Sequence, residues 1–124
     1  VWEIMSGSPK TVAFIAGDEH AYSRLLVGKN TDVGHKRKLD GSTAEFKHPV
    51  WQVTSGGAGA PWYDKELDLP WSPYLVKHST QPHYAMFKIN GDDVKLEVYS
   101  QTGQQIDAAM LRQNGKNLTG EFGK

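Results

Sequence analysis

The 124-residue chain has no cysteine, which excludes disulfides, thiolate zinc sites, iron–sulfur clusters and a cysteine nucleophile. It has no surplus of charge either: 14 Lys and Arg balance 14 Asp and Glu. The basic footprint of a nucleic-acid binder is absent, and so is an acidic tail. The longest apolar stretch, Val12 to Ala16, is far below the roughly 20 residues that a membrane-spanning helix needs. No internal period, heptad or low-complexity tract is present, which argues against solenoids and coiled coils. Helical periodicity is weak throughout. The length predicts one domain over residues 1–124. Val1 stands where a start methionine would, so the expectation is a processed or trimmed chain whose signal segment has been removable.

What is present reads as strands and loops. Thr11-Val12-Ala13-Phe14-Ile15-Ala16 is a β-rich apolar run ending at Gly17. A run apolar on both faces predicts a strand covered on both sides. Lys29 to His48 is polar and basic and reads as a solvated loop. Val50-Trp51-Gln52-Val53-Thr54 reads as a second strand, entering the Gly-rich segment Ser55 to Pro61. Trp62, Tyr63, Trp71 and Tyr74 follow among prolines and predict a long ordered loop. Exposed, these four rings form a stacking platform for a sugar, a peptide or another protein; buried, they cap the sheet.

The last third has the clearest pattern. Ala85, Phe87 and Ile89 alternate with Tyr84, Met86 and Lys88, and Val94, Leu96 and Val98 alternate with Lys95, Glu97 and Tyr99. With Asn90-Gly91-Asp92-Asp93 as the turn, Ile89 pairs with Val94, Phe87 with Leu96 and Ala85 with Val98. A second turn at Gln101-Thr102-Gly103 predicts pairs Val98–Ile106, Leu96–Ala108 and Val94–Met110. Residues 83–111 are thus a three-stranded antiparallel meander with one apolar face, and 112–124 a polar tail.

Three ordered segments resemble the calcineurin-like metallophosphoesterases. Phe14-Ile15-Ala16-Gly17-Asp18-Glu19-His20-Ala21-Tyr22-Ser23-Arg24 is similar to their last metal-binding motif, in the purple acid phosphatase form Gly-His-x-His-x-Tyr-x-Arg. Val53-Thr54-Ser55-Gly56-Gly57-Ala58-Gly59-Ala60-Pro61 resembles their downstream strand and Gly-rich loop, and Phe87 through Asp107 their closing hairpin. The resemblance covers residues 11–111. It implies a mainly β chain corresponding to the C-terminal half of an α/β/β/α sandwich. The family's earlier ligand motifs do not precede Gly17.

On this resemblance His20 falls on one metal ligand and Asp18 on another that is histidine in the family. Tyr22, Arg24, Gly56 and Gly57 fall on the substrate side. The implied cofactors are iron, zinc or manganese. A two-metal centre takes more ligands than one His and one Asp, so the chain is expected to be catalytically incomplete alone. The implied partner is a polypeptide carrying the missing half, or a second copy, with no nucleic acid and no membrane. The implied location is periplasmic or extracellular. His35, His48, His78 and His83 have no ligand spacing and read as ordinary histidines. The glycine run lacks the Lys-Ser/Thr of a P-loop, and neither Ser23 nor Ser55 lies in a Gly-x-Ser-x-Gly elbow. Asn117-Leu118-Thr119 is a glycosylation sequon by pattern alone. A non-catalytic structural or binding module derived from this fold is the alternative.

Overall fold

Alternating apolar residues and two short turns make sheet structure the dominant element of the computed structural model, which describes residues 1–29, 31, 38–59 and 70–117. In chain order these form α1 (Trp2–Ser6), β1 (Ala13–Ala16), β2 (Tyr22–Val27), β3 (Val50–Ser55), a 3-10 turn (Ser72–Tyr74), β4 (Leu75–Ser79), β5 (His83–Asn90), β6 (Asp93–Ser100), β7 (Gln105–Gln113) and β8 (Lys116–Asn117). They build two four-stranded sheets, β1-β3-β2-β4 and β5-β6-β7-β8. One apolar cluster takes Tyr22, Trp51 and Val53 from the first sheet and Val94, Leu96, Val98, Ala109 and Leu111 from the second, so the sheets pack face to face.

The second sheet is antiparallel throughout. Its first hairpin has the expected register: Ala85 opposes Val98, Phe87 opposes Leu96 and Ile89 opposes Val94. The turn is tighter than four residues. Asn90 pairs with Asp93, and Gly91 takes the positive φ of 57° that closes the hairpin. Gly103 likewise has φ 85° in the second turn.

The second hairpin departs from the expected register by one residue at Val98 and Leu96 and by two at Val94. Val98 opposes Asp107, Leu96 opposes Ala109 and Val94 opposes Arg112, with irregularities at both ends. Between the pairs Tyr99–Gln105 and Val98–Asp107 the residue Ile106 is extra, a bulge that lets neighbouring residues both turn inward. Ile106 and Asp107 are accordingly both buried, while Ala108 is exposed. A strand that alternated without the bulge would have put Asp107 in solvent.

The first sheet is mixed. β1 runs parallel to β3, and β2 runs antiparallel to both β3 and β4. The strands expected at Val12–Ala16 and Val50–Thr54 are therefore present and paired. β1 is not covered on both sides, however. Among the described residues it is an edge strand paired with β3 alone, and Phe14 and Ile15 are 39% and 57% exposed. The strands β2 and β4 were not legible as strands.

The opposite face of the first sheet carries its own cluster of Leu25, Val27 and Phe46, against which Trp2, Trp71, Tyr74 and Leu75 pack. Trp71 and Tyr74 thus help cap the sheet, whereas Trp62 and Tyr63 lie outside the described residues. Within the expected solvated loop, Phe46 is buried. At five residues α1 is too short to be stable by propensity. It is pinned instead by Lys47 and His48 amides donating to Ser6, and by Glu3 accepting from the Glu45 amide and from Lys38 Nζ. Among the described residues no helix is long and apolar enough to cross a membrane.

Candidate functional site

β1 ends at Ala16, and the chain doubles back through Gly17–Ala21 into β2. Two narrow turns make the reversal: the Glu19 amide donates to the Gly17 carbonyl at 2.8 Å, and the Ala21 amide to the Glu19 carbonyl at 2.8 Å. Asp18 is the central residue of the first turn, at φ 69°, a left-handed conformation that Asp tolerates better than most residues. The Gly56 amide donates to the Ala21 carbonyl at 3.1 Å and locks the loop onto the end of β3.

That lock explains both glycines. A Cβ on Gly56 would stand 2.0 Å from the Glu19 carbonyl oxygen, and one on Gly57 would stand 2.4 Å from the His83 ring. Both positions need glycine for close packing. His83 is held from both sides: Nδ1 is 3.0 Å from the Gln81 carbonyl and Nε2 is 3.0 Å from Ser55 Oγ. In the neutral ring Nδ1–H donates to the carbonyl, leaving Nε2 to accept from the serine hydroxyl.

Alternation along β2 divides its residues between two sites. Tyr22 and Arg24 point between the sheets. Arg24 grips Asp107 with two hydrogen bonds, Nε to Oδ2 at 2.8 Å and Nη2 to Oδ1 at 3.2 Å, and Tyr22 donates its hydroxyl to the same Oδ2. The guanidinium lies 5.0 Å from the centre of the Trp51 ring, whose Nε1 donates to the Leu111 carbonyl. Burial raises the Asp107 carboxyl, but the hydrogen bonds from Arg24 and then Tyr22 outweigh it, and the group is held below the ordinary carboxylate range. Burial first, then the hydrogen bond to Asp107, pushes the Tyr22 phenol well above its usual range.

Ser23 and Leu25 point the other way, to the outer face. There Ser23 lies between Thr54 on β3 and His78 on β4, and Thr54 is opposite Ala16 on β1. This row crosses all four strands and floors a cavity of about 340 Å³. Asp18 and Glu19 wall it from the loop, Trp71 and Ser72 from the 3-10 turn, and Gln52 and Leu25 extend the floor. The mouth therefore lies beyond the C-terminal end of a parallel strand, where open sheets commonly place ligands.

Of the residues singled out in the sequence, the structure puts Asp18 at this cavity and leaves it exposed; His20 is half-buried beside it in the loop and does not line the cavity. Tyr22 and Arg24 are in the sandwich interior, on the other side of the sheet from the cavity. The described residues contain no group of three or more His, Asp or Glu able to hold a metal. Asp18 and His20 are two donors, fewer than the three or four protein ligands of even one zinc site, so the described residues alone do not fit a two-metal centre. Asp107 was missed. The available signal was a lone acid within the apolar pattern of β7, matched by a lone Arg at the inward positions of β2. No protein-family model matches the chain, and no curated protein matches it either.

Proposed function

We propose that this chain is the C-terminal portion of a metal-dependent phosphoesterase, supplying the last metal ligands and incomplete without a second polypeptide or segment. The observation that carries the reading is the Gly17–Ala21 loop. It leaves the end of a strand parallel to its neighbour, holds Asp18 at φ 69°, and is clamped by Gly56 at the mouth of a cavity. Asp18 and His20 are the donors it offers to a shared centre of iron, zinc or manganese. Such a centre would supply Lewis-acid activation of water and charge neutralisation of the phosphoryl group. The exposed edge of β1, with Phe14 and Ile15, supports a sheet that continues into another segment, because parallel strands are ordinarily flanked and covered.

The test is native mass spectrometry with metal analysis on the protein from its source. A co-purifying polypeptide with about two metals per complex is expected. Asp18→Ala and His20→Ala should each lower the metal content and abolish hydrolysis of p-nitrophenyl phosphate. A metal-free chain, alone or self-associated, overturns the proposal. The second reading, a non-catalytic binding or assembly module, then stands. Its support is the exposed β1 edge together with Tyr84 and Met86 on the open face of the second sheet.

A further inference from the structure

The outer-face cavity carries a chemistry of its own. Its floor offers the hydroxyls of Ser23 and Thr54 and the amide of Gln52, groups that both donate and accept hydrogen bonds. One wall is Trp71, which is half-buried. Beside it Ser72 Oγ is buried without a hydrogen-bond partner. A buried hydroxyl left unsatisfied in this way is costly, and a ligand or a trapped water that pairs with it removes the cost. The rim carries the carboxylates of Asp18 and Glu19, and the described lining holds His78 but no Lys or Arg.

These features select among ligand classes. A phosphate or other anion meets two carboxylates, with His78 the one described lining group able to carry positive charge. An organic cation satisfies the rim and the indole but leaves the hydroxyl and amide floor unpaired. A neutral saccharide satisfies all of them: its hydroxyls pair with Ser23, Thr54, Gln52 and Ser72 and donate to the rim carboxylates, while its C–H face stacks on the Trp71 ring. The volume of about 340 Å³ falls at the lower end of the small-molecule range and suits one or two sugar rings.

We infer that this cavity is a binding site for a neutral saccharide. The inference does not rest on the phosphoesterase reading, and its test leaves Asp18 and His20 intact. The chain, labelled with ¹⁵N, is titrated with the methyl glycosides of glucose, galactose and mannose. Choline and inorganic phosphate serve as rival probes. At least one glycoside should produce saturable shifts at the Ser23, Thr54 and Ser72 amides. A dissociation constant of about a millimolar is expected for so few atoms. Trp71→Ala should weaken binding about tenfold, through lost stacking and contact area. Ser72→Ala should weaken it about threefold to tenfold with folding intact, because that hydroxyl has no partner inside the chain to lose. Trp71→Phe, which keeps an aromatic ring, separates loss of stacking from loss of fold by retaining much of the affinity. The inference is overturned if no glycoside saturates up to about 100 mM, a hundredfold above that constant. It is equally overturned if choline or phosphate binds there in preference, or if both Ser72→Ala and Trp71→Phe leave glycoside affinity unchanged while Trp71→Ala unfolds.

Discussion

The two faces of β2 make opposite use of polar residues. On the inner face, Arg24, Tyr22 and Asp107 are buried, and each charge meets its counterpart at hydrogen-bonding distance. On the outer face, Ser23 shares a row with Thr54 and His78 beneath a cavity, next to a Ser72 hydroxyl that lacks a partner. Paired charges of this kind specify how two sheets dock. An open row with an orphaned group adds little to the fold and is available for recognition. One strand can serve both ends because consecutive side chains face opposite ways.

The largest expected effect breaks the inner cluster. Asp107→Ala leaves the Arg24 guanidinium buried without its carboxylate and should destabilise the chain by about 3–5 kcal/mol in urea unfolding. Tyr22→Phe removes one hydrogen bond to that carboxylate while keeping the ring, and should cost about 1.5–3 kcal/mol. Acidification probes the same cluster. Asp107 has a lower folded than unfolded pKa, so its stabilisation is complete above the unfolded value of about 4 and is lost as pH falls through the folded value. Stability followed from pH 7 down to about 2 should therefore show an acid limb below pH 4, which Asp107→Asn makes shallower while lowering the plateau.

Smaller effects sharpen the contrast from the outer side. Gly56→Ala sets a Cβ against the Glu19 carbonyl, and should cost about 1–3 kcal/mol and displace the Asp18 loop, visible as amide shifts at Asp18–Ala21. Ser23→Ala, on the cavity floor, should change thermal stability by no more than about 0.5 kcal/mol. An equal loss at Ser23 and Tyr22 would erase the distinction between the faces.

The hairpin of β5 and β6 was legible to the residue because its information is local. Alternation sets the faces, and Gly91 permits the turn that sets the register. The second hairpin was one to two residues out because its register answers to distant partners. Asp107 is fixed by Tyr22 and Arg24, 85 and 83 positions earlier, and the Ile106 bulge is the local adjustment that brings it there. β2 escaped notice for a related reason: in Tyr-Ser-Arg-Leu-Leu-Val an arginine takes an inward position, and a packed outer cluster makes the other face apolar as well. β4 follows Pro73 at a sheet edge and has no alternation to read. The Gly17–His20 loop stood out in the sequence, but that Ser72, Thr54 and His78 share its cavity did not, since they come from segments tens of residues apart.

Periodicity, glycine conformation and composition were enough for the β class, the two turn sites, a strand before Gly17 and the absence of cysteine chemistry, but not for how that strand is covered. Tertiary structure alone decided which polar residues were buried and which faced the cavity. Burial of a charge is tolerated only where a partner of opposite sign arrives, and the arrival of Asp107 at Arg24 depends on how the two sheets meet.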